Sequence, residues 1–461
     1  MAIRAAFFLP HPPLIFEEVG KGQKKTISAT VEAYMKAAQM IAALKPDTIV
    51  FVSPHTTIYS DYFHISPGEG AQGNFAMYGA PQIAERTEYD NEFVLEIIRQ
   101  AQKFNLPTGT QGQREKDLDH ATLIPLRFIK KNYQDFKSVR LGFSGLTASA
   151  HYEMGMSIKA ASEELQRNLV FIASGDLSHK LSQEGPYGFN PAGPEFDEKI
   201  CDVLSTANFS MLFKFDKALI ENAAECGFRS LLMMAGALDA LSLKSDLMSY
   251  EGPFGVGYAV ASFEVLGQDK NRNFLKQYQD DLISRLESNR RLENPYVSLA
   301  RAALEGYICQ GREIVLPDNL PKEMLENRSG VFVTLKKEGD LRGCIGTFMP
   351  TKANIALEIT DNAIKAGTED FRFEEVSLAE LPFIEYSVDI LEKPEPITSV
   401  KQLDAKIYGV IVSKGHKRGL LLPNLSGVDS PEEQIKIALK KAGIGPREKY
   451  TLERFKVRRY Q

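Results

Sequence analysis

Short apolar runs alternate along the first half of the chain with longer stretches whose apolar positions recur at helical spacing. Ile3–Leu9 is one such run, followed by a helical pattern over 27–44, a strand-like TIVFVS at 48–53 and a second helical pattern over 92–104. Residues 121–132 again carry helical spacing, 139–146 and 169–173 read as short strands, 231–243 as an apolar helix and 257–265 as a closing strand. Strands that are apolar throughout are those covered on both faces. The pattern therefore predicts an α/β fold, a mostly parallel sheet flanked by helices.

The pattern changes after residue 266. Residues 267–294 are polar, with Phe274, Tyr278, Leu282 and Leu286 at helical spacing, and read as a linker passing into the first helix of a new domain. Beyond Gly330 come GVFVTLKK, IEYSVDIL, YGVIVSK and RGLLLP, with helical segments near 353–366 and 432–442 and a hairpin turning at Gly415 and His416. This is an α+β pattern, and it places domains at 1–268 and 285–461. A length of 461 residues, 43% hydrophobic and 25% charged, fits two soluble globular domains.

Charge narrows the partners. A net charge of −5 gives no electrostatic case for nucleic acid or an anionic membrane, and the cluster Lys456, Arg458 and Arg459 is too small to change that. No run reaches the roughly 18 apolar residues of a membrane span. Cys201, Cys226, Cys309 and Cys344 are far apart with no CxxC pair, which argues against a disulfide framework and a four-cysteine zinc site. A reducing cytoplasm is the expected compartment.

Histidine distribution carries the chemistry. Six of seven histidines precede residue 180, and four stand just after a strand or at a loop-to-helix turn: His11 after AAFFLP, His55 after TIVFVSP, His120 in DLDHATLIPL and His179 in FIASGDLSH. In an open parallel sheet, residues just past successive strands converge at the carboxyl edge. Neutral imidazole is a good ligand for Fe(II) or Zn(II), and non-haem iron sites that activate oxygen use two His and one carboxylate. An uncoordinated His can act as general base and then general acid. His64, in DYFHIS, and His151, in ASAHYEM, lack this placement and read as structural.

LPHPPLI, VFVSPH, DLDHATLIPL and SGDLSH together resemble the successive motifs of the class III extradiol ring-cleaving dioxygenases (LigB-type), a superfamily that includes the Memo proteins. The resemblance implies His11 and His55 as metal ligands, His179 as the acid–base residue and His120 as a second histidine orienting substrate or oxygen. Asp176, three residues before His179, either tunes that histidine or caps a helix. For the third ligand the candidates are Glu225, as in the two-histidine, one-carboxylate oxygenases, and Cys226, as in the Memo arrangement. Fe(II) is the ion implied, with Zn(II) the alternative.

The C-terminal part resembles the AMMECR family through LRGCIGTF at 341–348, DFRF at 370–373, EYSVDIL at 385–391 and RGLLLPNLSGVDS. Arg342, two residues before Cys344, is placed to favour a thiolate there; a buried cysteine packed as a small hydrophobe is the competing reading. Arg372, between Phe371 and Phe373, either binds an anion or covers an apolar face.

The two resemblances together imply a metal-dependent oxygenase acting on a catechol-like or related small aromatic molecule. The alternative they imply is a Memo-like metal-binding or redox module of the AmmeMemoRadiSam system. The radical SAM protein of that system would be a separate partner, because this chain has no CxxxCxxC motif. Zinc-dependent hydrolysis is a third reading of the same site.

Overall fold

A computed structural model describes residues 2–112, 117–425 and 427–461. The chain divides into two compact units, Met1–Gln279 and Asp280–Gln461. The division falls inside a helix, Phe274–Arg290, which occupies most of the stretch read as a linker.

The first unit contains strands β1 (Ile3–Leu9), β2 (Thr48–Val52), β3 (Phe63–His64), β4 (Gly70–Phe75), β5 (Ala80–Glu88), β6 (Thr108–Gly109), β7 (Lys137–Leu141), β8 (Leu169–Ser174), β9 (Leu241–Glu251) and β10 (Tyr258–Gln268). Six of them form the central sheet in the order β7-β2-β8-β1-β10-β9. The first four are mutually parallel, whereas β10 and β9 join antiparallel. Alternate residues of the parallel strands feed two cores: Phe8, Val50, Val52 and Phe171 on one face, Phe7, Ile49, Phe51 and Ile172 on the other. Burial on both faces explains why β1, β2 and β8 are apolar at nearly every position, whereas the edge strand β7 carries Lys137, Ser138 and Arg140. The expected α/β architecture is the one observed.

Boundaries differ where periodicity is ambiguous. The apolar stretch 231–243 is a helix only over Phe228–Ala237; Ala240 takes a left-handed φ of 56° and the chain then enters β9. The strand expected at 139–146 ends at Leu141. The β4–β5 hairpin and the helices Ala148–Glu164 and Ala192–Thr206 carried no clear signal. The first of these helices is rich in Ala and Ser, so its apolar stripe is weak in sequence although ten of its residues are buried.

The second unit holds β11 (Val331–Lys337), β12 (Asp340–Gly346), β13 (Ile384–Leu391), β14 (Glu395–Ile397), β15 (Gly409–Lys414), β16 (Lys417–Leu421), β17 (Thr451–Phe455) and β18 (Val457–Tyr460). They make two antiparallel sheets, β12-β11-β13-β18 and β14-β17-β15-β16. Helices Pro295–Gln310 and Ile355–Thr368 cover the first sheet, and Pro431–Ala442 the second. The β15–β16 hairpin turns at Gly415, with φ 58°, and His416. Among the described residues no helix is long and apolar enough to cross a membrane.

Candidate metal centre

Three neighbouring parallel strands, β2, β8 and β1, end at one edge of the central sheet, and the loops that follow carry His55, Asp176 with His179, and His11. His11 is buried. Its Nδ1 lies 3.1 Å from Ser174 Oγ, and that hydroxyl donates to Ala121 O at 2.8 Å. With its hydrogen committed, Ser174 Oγ accepts from His11, so Nδ1 carries the proton and Nε2 presents a lone pair. That Nε2 meets His55 Nε2 at 3.1 Å and Cys226 Sγ at 3.5 Å. Two imidazole nitrogens and a sulfur converging in this way suit a divalent first-row metal. Burial, with the neighbouring His120, His55 and His179, holds His11 well below the ordinary histidine range. His55 is exposed at the surface, and partial desolvation of its ring lowers it too, with Asp119 opposing. Both rings are therefore neutral and ligand-ready at pH 7.

Cys226 reaches the cluster through a close backbone approach. A Cβ on Gly175 would lie 2.1 Å from Gly227 Cα, so only glycines let the loop after β8 touch the segment before the helix Phe228–Ala237. The contact is locked by Asp176 N–H to Cys226 Sγ at 3.3 Å and Cys226 N–H to Asp176 O at 3.3 Å. Burial, then the nearby Asp176, pushes the metal-free thiol well up.

Glu225 turns away. Its Oε2 accepts from Phe228 N–H at 2.6 Å, satisfying an orphan amide at the helix start. The structure thus brings His11, His55 and Cys226 together and leaves the Glu225 carboxyl, raised to about 7 by burial, outside the donor group.

Asp176 is not a helix cap, since no helix begins at it. Its Oδ1 accepts His11 N–H at 2.7 Å and its Oδ2 stands 3.7 Å from His11 Nε2. His120 opens the helix His120–Lys130 and stacks on His55 with ring centroids 4.4 Å apart. His179 lies 5.2 Å, centroid to centroid, from Tyr187, and its buried Nε2 has no hydrogen-bond partner among the described residues. Burial and then His55 lower both His120 and His179 to about 4.

Several supporting residues escaped the sequence reading. Asp119 caps the His120 helix through Thr122 N–H at 3.0 Å and accepts from Ser53 Oγ at 2.6 Å. Ser53 Oγ in turn receives His55 N–H at 3.2 Å. The buried Arg140 reaches Asp119 Oδ2 at 3.5 Å. Asp119 thus positions two histidines at once, and the only local trace of it is the Asp-His pair in DLDH. His151 lies outside the site: its Nε2 accepts Ser144 N–H at 3.2 Å and its Nδ1 donates to Thr147 O at 2.8 Å. His64 is buried in β3 beside Tyr59.

In the second unit, Arg342 is committed to Glu380 at 2.9 and 3.0 Å and to Glu374 O at 2.9 Å. The cation acting on Cys344 is instead Arg372, itself forked onto Asp370 at 2.8 and 2.6 Å. Cys344 N–H donates to Asp370 Oδ2 at 2.8 Å, and Thr334 Oγ1 donates to the sulfur at 3.3 Å. Burial still raises the thiol, with Arg372 opposing, which is the environment of a packed cysteine rather than of a thiolate. The flanking glycines serve packing: a Cβ on Gly343 would lie 2.1 Å from Ala366 O, and one on Gly346 would lie 2.2 Å from the Phe332 ring.

Comparison with known proteins follows the same division. Residues 5–261 match the family model of the catalytic LigB subunit of aromatic ring-opening dioxygenase, and residues 297–461 match AMMECR1. A protein of Clostridium acetobutylicum, CA_C1420, is 42% identical over 469 residues, covering 100% of both chains. A Thermotoga maritima protein is 52% identical over 171 residues, 36% of this chain and 98% of that one. The crystal structure of the uncharacterized protein PH0010 from Pyrococcus horikoshii aligns at 33% identity with a TM-score of 0.34, over 36% of this chain and 88% of that one. The chain belongs to the family of the catalytic LigB subunit of aromatic ring-opening dioxygenase and carries an AMMECR1 domain after it.

Proposed function

We propose that the first unit binds one divalent metal through His11, His55 and Cys226 and acts as a metal-dependent oxidoreductase on a small aromatic molecule of the catechol type. The observation that carries this reading is the convergence of two imidazole Nε2 atoms and the Cys226 sulfur at the carboxyl edge of the sheet. Fe(II) is the ion the family points to; it supplies open coordination positions for substrate and oxygen, whereas Zn(II) supplies Lewis acidity. His179, neutral at pH 7, takes a substrate hydroxyl proton at its free Nε2 and later returns it. His120 offers a further polar group beside His55, and Tyr187 and Tyr78 stand against His179 and His120 as aromatic walls for a flat substrate. Asp119 and Ser53 hold the loop of His55, and Ser174 fixes the tautomer of His11.

A second reading follows from the sulfur itself. With Cys226 in the donor group and Glu225 outside it, the unit departs from the two-histidine, one-carboxylate set of oxygenases. That favours a metal-binding or redox module of the Memo type working with a separate radical SAM enzyme.

Anaerobic loading with Fe(II), followed by metal analysis and oxygen uptake over a panel of catechols, separates the two. The first reading expects one iron per chain and substrate-dependent oxygen consumption. Bound iron with no consumption across the panel selects the second, and failure to retain any iron rejects both.

A further inference from the structure

The donor atoms of the first unit divide into two triads, His11–His55–Cys226 and Asp176–His179–Cys226, each with its ligand atoms within 4.8 Å of one another. We infer that the second triad is a second divalent-cation position, joined to the first through the Cys226 sulfur; this rests on reading His11, His55 and Cys226 as the primary site.

Three observations carry it. First, His179 Nε2 is buried without a hydrogen-bond partner among the described residues, whereas His151 has both ring nitrogens engaged. A buried imidazole nitrogen with nothing to bind is costly unless something else occupies it. Second, Asp176 is 8% exposed, and its only ion-pair partner among the described residues is His11 at 3.7 Å; no Lys or Arg compensates it. A buried carboxyl and thiol side by side, with no basic side chain on them, can both ionise only if a cation sits between them. Third, the donor chemistry is right: carboxylate, imidazole and thiolate all serve zinc and iron. A thiolate bonded at about 2.3 Å to each of two ions allows the roughly 3.5–4 Å separation usual in two-metal sites.

The consequence is regulatory. An ion in the second triad takes the Nε2 lone pair that His179 needs for proton transfer. Occupation of the second position and acid–base work by His179 therefore exclude each other, and excess metal turns the proposed reaction off.

Equilibrium dialysis of the full chain against Zn(II) and, separately, Co(II) tests the inference. The expected result is two ions per chain, the second more weakly held. His179→Ala, and His179→Asn as a second variant, should reduce this to one ion while keeping the thiolate-to-Co(II) charge-transfer absorption. One ion in the wild type, unchanged in both variants, overturns the second position and leaves the primary site standing. Two ions that persist in both variants also overturn it, because the extra ion is then elsewhere. No bound ion at all overturns the primary site as well.

Discussion

Cys226 and Cys344 make an instructive pair. Each stands beside a glycine, each has its backbone N–H held by an aspartate from another segment, and burial raises each thiol. They differ in what reaches the sulfur. Cys226 meets His11 Nε2 at 3.5 Å, with His55 and Asp176 close by. Cys344 meets the Thr334 hydroxyl, and the charges around it are spent on one another: Arg372 on Asp370, Arg342 on Glu380, Arg459 on Asp389. A cysteine's local motif thus says little about its chemistry. The free donors that other elements bring to its sulfur say much more.

The largest expected effect breaks or keeps that contrast outright. His11→Ala and Cys226→Ala should each reduce bound metal from stoichiometric to background, measured by elemental analysis after dialysis. Cys344→Ala should leave it unchanged. Glu225→Gln should also retain metal, because the amide oxygen still accepts Phe228 N–H. Loss of metal in Glu225→Gln with retention in Cys226→Ala would reverse the assignment of the third ligand.

Two buried aspartates sharpen the comparison through pH. Asp197, in the first unit, accepts Ser178 N–H and Tyr250 Oη–H, both at 2.7 Å, and burial raises it to about 7. Its folded value lies above the unfolded one of about 3.9, so stability is present at low pH and is lost as pH rises through 7. Asp197→Asn removes that dependence and should become less damaging by about 1–3 kcal/mol between pH 5 and pH 8. Asp370, in the second unit, has the opposite sign. The Arg372 fork holds it down at about 2, so its contribution is present above about pH 4 and fades as pH falls through 2. Asp370→Asn should cost about 1–2 kcal/mol at pH 7, allowing for the exposure of Arg372, and the cost should be flat from pH 8 to pH 5. Urea titrations of metal-free protein at four pH values read both slopes. Parallel slopes would remove the contrast.

Much of this was legible from sequence because it is local. Strands β1, β2 and β8 are apolar at nearly every position, and His11, His55 and His179 follow within a few residues of their ends, so their convergence follows from the parallel order alone. What was not legible depends on contacts between distant segments. Glu225 and Cys226 are adjacent, and their roles part only because one caps a helix and the other faces the loop after β8. Arg342 lies nearer to Cys344 in sequence than Arg372 does, yet Glu380 claims it. Strand β9 begins inside an apolar stretch that suits helix and strand equally.

The smallest expected effect concerns Cys344 itself. A serine there keeps a polar atom opposite Thr334 Oγ1, leaves the backbone bond to Asp370 intact and disturbs neither glycine contact. Cys344→Ser should therefore change the unfolding free energy by no more than about 1 kcal/mol. The same burial governs reactivity, because the thiolate is the nucleophile and this sulfur is held above its ordinary pKa. At pH 8 a water-soluble disulfide reagent should modify the exposed Cys309 first and Cys344 many times more slowly, with peptide mapping locating each adduct. Cys344 reacting as fast as Cys309 would mean that Arg372 activates it despite Asp370, and the second unit would then hold a nucleophile rather than a packed cysteine.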